Sequence, residues 1–267
     1  MKRASVLSIF LLVSVALLFG VGTEEETAKK TKRFEAMLSY ETLNPHDPYG
    51  SWKTFLLSYY ANPRLGFTYY FQLGAFSRKE GDAGLAVAGA YKDWSDRFYT
   101  YTAVSSGTDS AYLPVFRFDN DFNFKLGKKR NIVWTAGITF LKYHNVHRDL
   151  ILSSQVTAYF EGVVATYRIF RNRSDPGGIK SFSHLLDAAY GREGWQITNA
   201  TLSFGKQAYL ATYLSRPEEV NQNSIYVVVK HRRWIGSGLG LLGDFSYFKL
   251  EDGYTKIGFS LGVFKEF

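Results

Sequence analysis

The chain contains no cysteine. That excludes structural disulfides and thiolate metal sites, and a lipid-anchored N-terminus, which needs a cysteine at its cleavage point. Capped runs with apolar side chains at three-and-four spacing are also missing, so helices have no signature. Beyond the first residues no stretch is apolar enough to cross a membrane as a helix. Mean hydropathy is slightly negative, which argues against a helical membrane bundle. Phosphate-binding glycine loops, carboxylate pairs at glycosidase spacing and metal-ligand clusters do not occur, so neither a metal nor a cofactor is expected. The formal charge is +8, yet no basic motif is interleaved for nucleic acid, which is not an expected partner. Lysine and arginine near the rims of a membrane protein, beside the phosphates of outer-membrane lipids and lipopolysaccharide, account for the excess.

What is present begins with a leader. Lys2 and Arg3 precede an apolar run over 6–19, and Gly20 and Gly22 place small residues at minus three and minus one before Thr23. This is the layout of a secretory signal peptide, expected over 1–22. The run is shorter than the roughly 20 residues of a spanning helix. Residues 23–32 read as a short periplasmic segment and 33–267 as one domain.

Aromatics reach 17% of the chain, with 19 Tyr and 22 Phe, a density that suits the interface girdles of membrane barrels. From residue 33 onward, segments of about ten residues alternate apolar and polar, separated by turn residues. Strands are expected at 34–41, 52–61, 67–76, 85–91, 98–105, 115–126, 132–143, 150–160, 163–172, 182–191, 195–204, 225–232, 241–249 and 254–267. The fold class is all-β: a transmembrane antiparallel β-barrel of about 14 strands, with 12–16 allowed because 207–222 has room for part of another hairpin. Short links such as Glu161-Gly162 follow even strands. Longer links, such as 44–50, 107–110, 173–178 and 215–219, follow odd ones. With N- and C-termini periplasmic, the long loops face outside the bacterial outer membrane.

The sixth strand shows the two faces. Phe116, Phe118, Phe122 and Phe124 share one side; Arg117, Asp119, Asp121, Asn123 and Lys125 share the other. The third and last strands behave likewise, setting Phe71 and Leu73 against Gln72 and Gly74, and Phe259 and Leu261 against Ser260 and Gly262. Small and polar inner residues are expected to leave room for water or ligand. In the second, fifth and twelfth strands both sides carry bulky apolar residues, and the faces stay open. Phe267 closes the last strand with an aromatic of the kind that barrel-assembly machinery reads, although Lys265 stands where an apolar residue is usual.

Further segments carry a resemblance. They are Ile138-Thr139-Phe140-Leu141-Lys142-Tyr143, then Gln155-Val156-Thr157-Ala158-Tyr159-Phe160-Glu161-Gly162, running on into Ala165-Thr166-Tyr167-Arg168-Ile169-Phe170. A Pro176-Gly177-Gly178 loop and Ser183-His184-Leu185-Leu186 follow. This half of the chain resembles the YaiO-type outer-membrane β-barrel family, while the N-terminal strands match in texture. The resemblance implies an outer-membrane barrel of similar strand count. Some relatives look connected with surface polysaccharide systems, which makes a surface-glycan system a candidate partner.

For chemistry, the inward charges come first: Arg117, Asp119, Asp121, Lys125, Arg168, Asp187 and Asp244 are the lumen or constriction candidates. Two readings stand. They pair across the lumen and brace the barrel, or they form a constriction that selects a solute. No catalytic residue is assigned. Ser183 and His184 are strand neighbours and so face opposite ways, while His46, His144 and His147 fall in loops. Trp52, Trp94, Trp134, Trp195 and Trp234 lie near strand ends, as girdle residues do, with sugar stacking as the alternative. Tyr59 and Tyr60, or Tyr99 and Tyr101, are candidates to line a glycan path. The expected function is a monomeric, narrow pore or export conduit. The alternatives are a non-conducting docking barrel and a lipid-modifying enzyme.

Overall fold

A computed structural model describes residues 31–110, 112–206 and 222–267. The expected signal peptide, residues 23–30 of the periplasmic segment, the loop 215–219 and nearly all of 207–222 lie outside the described residues. The first half of the barrel comprises β1 (Thr31–Asn44), β2 (Ser51–Arg64), β3 (Phe67–Arg78), β4 (Gly81–Ser95), β5 (Phe98–Gly107), β6 (Pro114–Leu126) and β7 (Ile132–Tyr143). The second comprises β8 (Arg148–Phe160), β9 (Val163–Asp175), β10 (Ile179–Arg192), β11 (Gln196–Gly205), β12 (Ser224–Gly236), β13 (Leu239–Leu250) and β14 (Thr255–Glu266). A single helical turn, α1 (His46–Tyr49), interrupts the first link. Every strand pairs antiparallel with its sequence neighbours, and β1 pairs with β14, so the sheet closes.

Each expected strand is found at its place, and the observed strands are mostly longer. The ladder of β9 runs on through Arg173 and Asp175, and β4 begins at Gly81. These rim residues are polar or small, so the alternation that marks a strand in sequence stops before the hydrogen bonds do. Tight links at Leu65-Gly66, Asp96-Arg97, Glu161-Gly162 and Ser237-Gly238 follow even strands. The alternation of link length is not strict: Lys79 and Glu80 alone join β3 to β4.

Parity sorts the side chains. Phe71, Leu73, Phe259 and Leu261 lie on the outer surface, half or more exposed, while Gln72, Ser58 and Lys256 are buried inside. The registers settle the three open strands. In β2, Trp52, Thr54, Leu56, Ser58 and Tyr60 point inward; in β5, Tyr99, Tyr101 and Ala103; in β12, Tyr226, Val228, Lys230 and Arg232. One polar residue falls on the outer face of β6. Asn120 sits among the phenylalanines and accepts a hydrogen bond from Thr102 Oγ1 at 2.6 Å. That bond offsets the cost of an amide in hydrocarbon.

Leu261, 75% exposed at the middle of β14, gives a direct test of the outer face. Leu261→Arg is expected to lower stability by about 2–4 kcal/mol in urea titrations of the barrel folded in lipid vesicles. Ser260→Asn, on the inner face next door, is expected to change it by under about 1 kcal/mol.

Candidate functional site: the barrel lumen

All seven sequence-predicted charges point into the lumen. Arg117 holds Asp119 through Nε at 2.7 Å and Nη2 at 2.8 Å, and Thr139 Oγ1 donates to the same carboxylate at 2.7 Å. Arg168 on β9 grips Asp121 on β6 with Nη2 at 2.7 Å and Nη1 at 3.0 Å, and donates to Ser153 at 2.7 Å. Asp187 accepts from Asn199 at 2.8 Å and Thr201 at 2.5 Å. Asp244 lies opposite Lys230 in the β12–β13 ladder. Lys125 stands apart at the short-turn end, 3.9 Å from Asp93 and 5.2 Å from the Tyr99 ring.

The expectation that these charges pair across the lumen is not met. Arg117 with Asp119 and Arg168 with Asp121 pair along the wall, while Asp187 is held by neutral side chains. Arg168 and Asp121 reach each other over β7 and β8 because Gly137 lies between them. A Cβ there would fall inside contact distance of Asp121 Oδ1, Ser153 Oγ and Arg168 Nη2. The same device recurs. The Tyr70 ring lies over Gly89, Glu41 over Gly258 and the Phe264 ring over Gly240. Long inward side chains thus lie flat against strands that have no side chain at that point.

Several wall groups escaped sequence reasoning. Glu35 on β1 forms an ion pair with Arg33 at 2.7 Å and accepts a hydrogen bond from Arg232 of β12 at 2.5 Å, and Trp234 Nε1 donates to Glu266 at 3.0 Å. Lys256 holds Glu41 at 2.6 Å. The alternation in β1 carried the signal, since Arg33, Glu35 and Glu41 share one parity. A row of tyrosines adjoins the ionic groups, with Tyr101 directly opposite Asp121 in the β5–β6 ladder. Tyr70 and Tyr101 share a hydroxyl hydrogen bond of 2.6 Å with rings stacked 6.4 Å apart, and Tyr60 and Tyr91 extend the row. Tyr59 is on the outer face, so of the candidate tyrosines only Tyr60, Tyr99 and Tyr101 line the lumen.

The lumen is not polar throughout. At the long-loop end Met37, Leu56, Phe76, Tyr112 and Leu113 form one apolar cluster, and Leu43, Trp52, Phe248, Leu250 and Tyr254 a second. Small and polar inner residues therefore do not prevail at either end, since Tyr60, Tyr70, Tyr91, Tyr101, Trp234 and Phe264 are bulky toward the short turns. The Arg78 guanidinium joins the clusters, 3.8 Å over Trp52 and 4.2 Å over Tyr112. Outside, the Lys79 ammonium donates to Asp47 at 2.6 Å and ties α1 to the β3–β4 link. That hydrogen bond and charge hold the Asp47 carboxyl below its ordinary range. Trp52, fully buried, is thus no girdle residue, and Trp234 also points inward. Trp94, Trp134 and Trp195 remain outside and exposed.

Ser183 is buried in the lumen wall, whereas His184 lies outside, bonded to Tyr167 at 2.8 Å and stacked on Phe204. The two cannot act together. His144 sits 3.4 Å from Asp109 in the loops. Among the described residues no three His, Asp or Glu side chains form a metal cluster.

A closed barrel with this wall matches a known family model, the YaiO membrane beta barrel domain, over residues 31–210. The chain belongs to the YaiO family. The match takes in β1 to β6 as well as the segments on which the resemblance rested. YaiO barrels and outer-membrane channels share one architecture here. A structure titled bacterial polysaccharide outer membrane secretin is 8% identical, with a TM-score of 0.53 over 91% of this chain and 100% of that one. An outer membrane channel from Pseudomonas putida F1 is 10% identical, TM-score 0.52, over 89% and 95%. OpdO of Pseudomonas aeruginosa is 9% identical, TM-score 0.51, over 89% and 96%. At these identities the likeness is one of fold. No curated protein sequence matches this YaiO chain. The protein is an outer-membrane β-barrel whose fold resembles that of an outer-membrane channel.

Gly137 offers the sharpest test of the wall. Gly137→Val is expected to separate Arg168 from Asp121 and cost about 1–3 kcal/mol in urea unfolding. Asp121→Asn should cost a similar amount alone, and clearly less when added to Gly137→Val, because the pair is already broken.

Proposed function

We propose that this YaiO barrel is a narrow, selective conduit through the outer membrane for a hydroxyl-rich polar solute, with a surface glycan as the favoured class. The observation that carries the reading is the flat lie of the inward side chains. Eight strands give an interior filled by side chains, whereas sixteen to eighteen leave an aqueous channel. With strands tilted about 35–45°, the fourteen here give a backbone radius of about 14 Å, between those limits. Pairs that bridged the lumen would block it. Pairs folded over Gly137 and Gly258, and a ring folded over Gly89, lie along the wall and do not bridge the lumen.

The chemistry of the wall favours the solute class. Ionised pairs are matched in charge, so neither sign of ion is strongly preferred. The tyrosine row offers ring faces for stacking sugar rings and hydroxyls for hydrogen bonds. The apolar clusters at the long-loop end favour a second reading, a closed barrel whose loops dock a partner. Both readings place the termini in the periplasm and the long loops outside, and both treat the protein as a non-enzyme.

Planar-bilayer recording of the purified chain separates them. Discrete conductance steps, reduced by a soluble oligosaccharide in the bath, are the expected result. Asp121→Asn, which leaves the Arg168 charge unmatched, should shift permeability toward anions a few-fold, and adding Arg168→Gln should restore the parent ratio. Trp52→Ala with Tyr112→Ala should raise conductance by thinning the apolar clusters. Silence from both the parent and that last variant would leave the docking barrel as the answer.

A further inference from the structure

The outer surface of β7 to β10 carries a charge arrangement that the lumen does not use. At the long-loop end Lys142 of β7 lies directly opposite Arg148 of β8, and Arg173 of β9 directly opposite Lys180 of β10. Arg171 follows two residues along β9, on the same face as Arg173. All five side chains are exposed. Like charges facing each other across a strand pair destabilise a sheet. Two such pairs on adjoining strands call for a counter-anion. Among the described residues the protein supplies one acid here, Asp175, at 3.7 Å from Arg173. Arg148 stands directly opposite Asp175 in the β8–β9 ladder, so this one carboxylate is shared between Arg148 and Arg173, and Lys142, Arg171 and Lys180 make no ion pair among the described residues.

The surroundings state what the anion must be attached to. Arg171 stands in register between Leu152 and Phe182, and Arg173 beside Leu150, all outward and exposed. The cations therefore begin where the apolar belt ends. A soluble anion has no reason to meet that boundary, whereas the phosphates of a lipid headgroup lie in it. Snorkelling lets Arg171 rise toward the same plane while its stem stays against apolar neighbours.

We propose that Lys142, Arg148, Arg171, Arg173 and Lys180 form a binding site for a bisphosphorylated outer-leaflet lipid, the lipid A part of lipopolysaccharide. The headgroup phosphates bridge the two like-charge pairs, and the acyl chains lie along Leu150, Leu152 and Phe182. The site rests on the long loops facing outward, as the functional proposal above does, and not on whether the lumen conducts.

Native mass spectrometry of the full chain in detergent tests it, with bisphosphoryl lipid A, phosphatidylglycerol and inorganic phosphate as separate probes. Arg171→Ala/Arg173→Ala/Lys180→Ala should weaken lipid A binding about a hundredfold, at about fivefold per charge removed. Lys92→Ala/Arg233→Ala/Lys265→Ala, at the other rim, should leave it unchanged. Heat-modifiable migration in gels confirms that each variant is folded. Equal losses from both triple variants would overturn the site. So would binding of phosphatidylglycerol as tight as that of lipid A, or displacement of lipid A by equimolar inorganic phosphate, which would assign the cluster to another anion. Failed conductance with intact lipid A binding would overturn the conduit and leave this site standing.

Discussion

Every backbone N–H and C=O that crosses hydrocarbon must find its partner within the protein, because no water is there to take its place. For a chain without helical signals, only a sheet closed on itself meets that demand. The β1–β14 seam is where it is met. Its ladder runs from Arg33 opposite Glu266 to Asn44 opposite Thr255, and Lys32 and Phe267 exchange backbone hydrogen bonds just beyond it. Once the sheet is closed, alternation along each strand divides every residue between lipid and lumen, and the two faces come under separate chemical rules.

Outside, the rule is strict, and polar groups survive only when satisfied, as Asn120 is by Thr102. Inside, most charges are held by an opposite charge or by neutral hydrogen-bonding groups, since an ion left alone in a partly dry interior is costly. Arg168 with Asp121, Arg117 with Asp119 and Lys256 with Glu41 meet this condition. Glycine decides their geometry. By removing a side chain from the wall, it lets a long neighbour lie along the sheet. At the long-loop end this device gives way to aromatic packing around Trp52 and Phe248, and the interior resembles the core of a soluble protein.

Strand positions were legible in every segment, and lumen parity wherever a period of two sets apolar against polar residues, which leaves out the second, fifth and twelfth strands. Arg117 to Lys125 could be placed inside from β6 alone. Their partners could not be read that way. Arg168 meets Asp121 from 47 positions away, a pairing that depends on the stagger of three strands. Trp52 misled for a related reason. A tryptophan at a strand end suits a girdle or a plug equally, and only the register of β2 against β1 turns it inward. Glu35 and Arg232 went unread as a pair because they stand on distant strands and β12 carries bulky residues on both sides. The family match reaches the N-terminal strands, where local texture alone had been visible.

The seam has a kinetic side. Ser39 and Ser260, which hydrogen-bond across it, are 221 positions apart. Loop-closure entropy must be overcome before that contact repays anything, so pairings of such separation form slowly. Until they form, the first and last strands each present a row of unpaired amides, an invitation to aggregate or to join a neighbour's sheet. Maturation of this barrel is accordingly governed by its slowest encounter, the meeting of its two ends, and whatever shelters those edges meanwhile sets the yield.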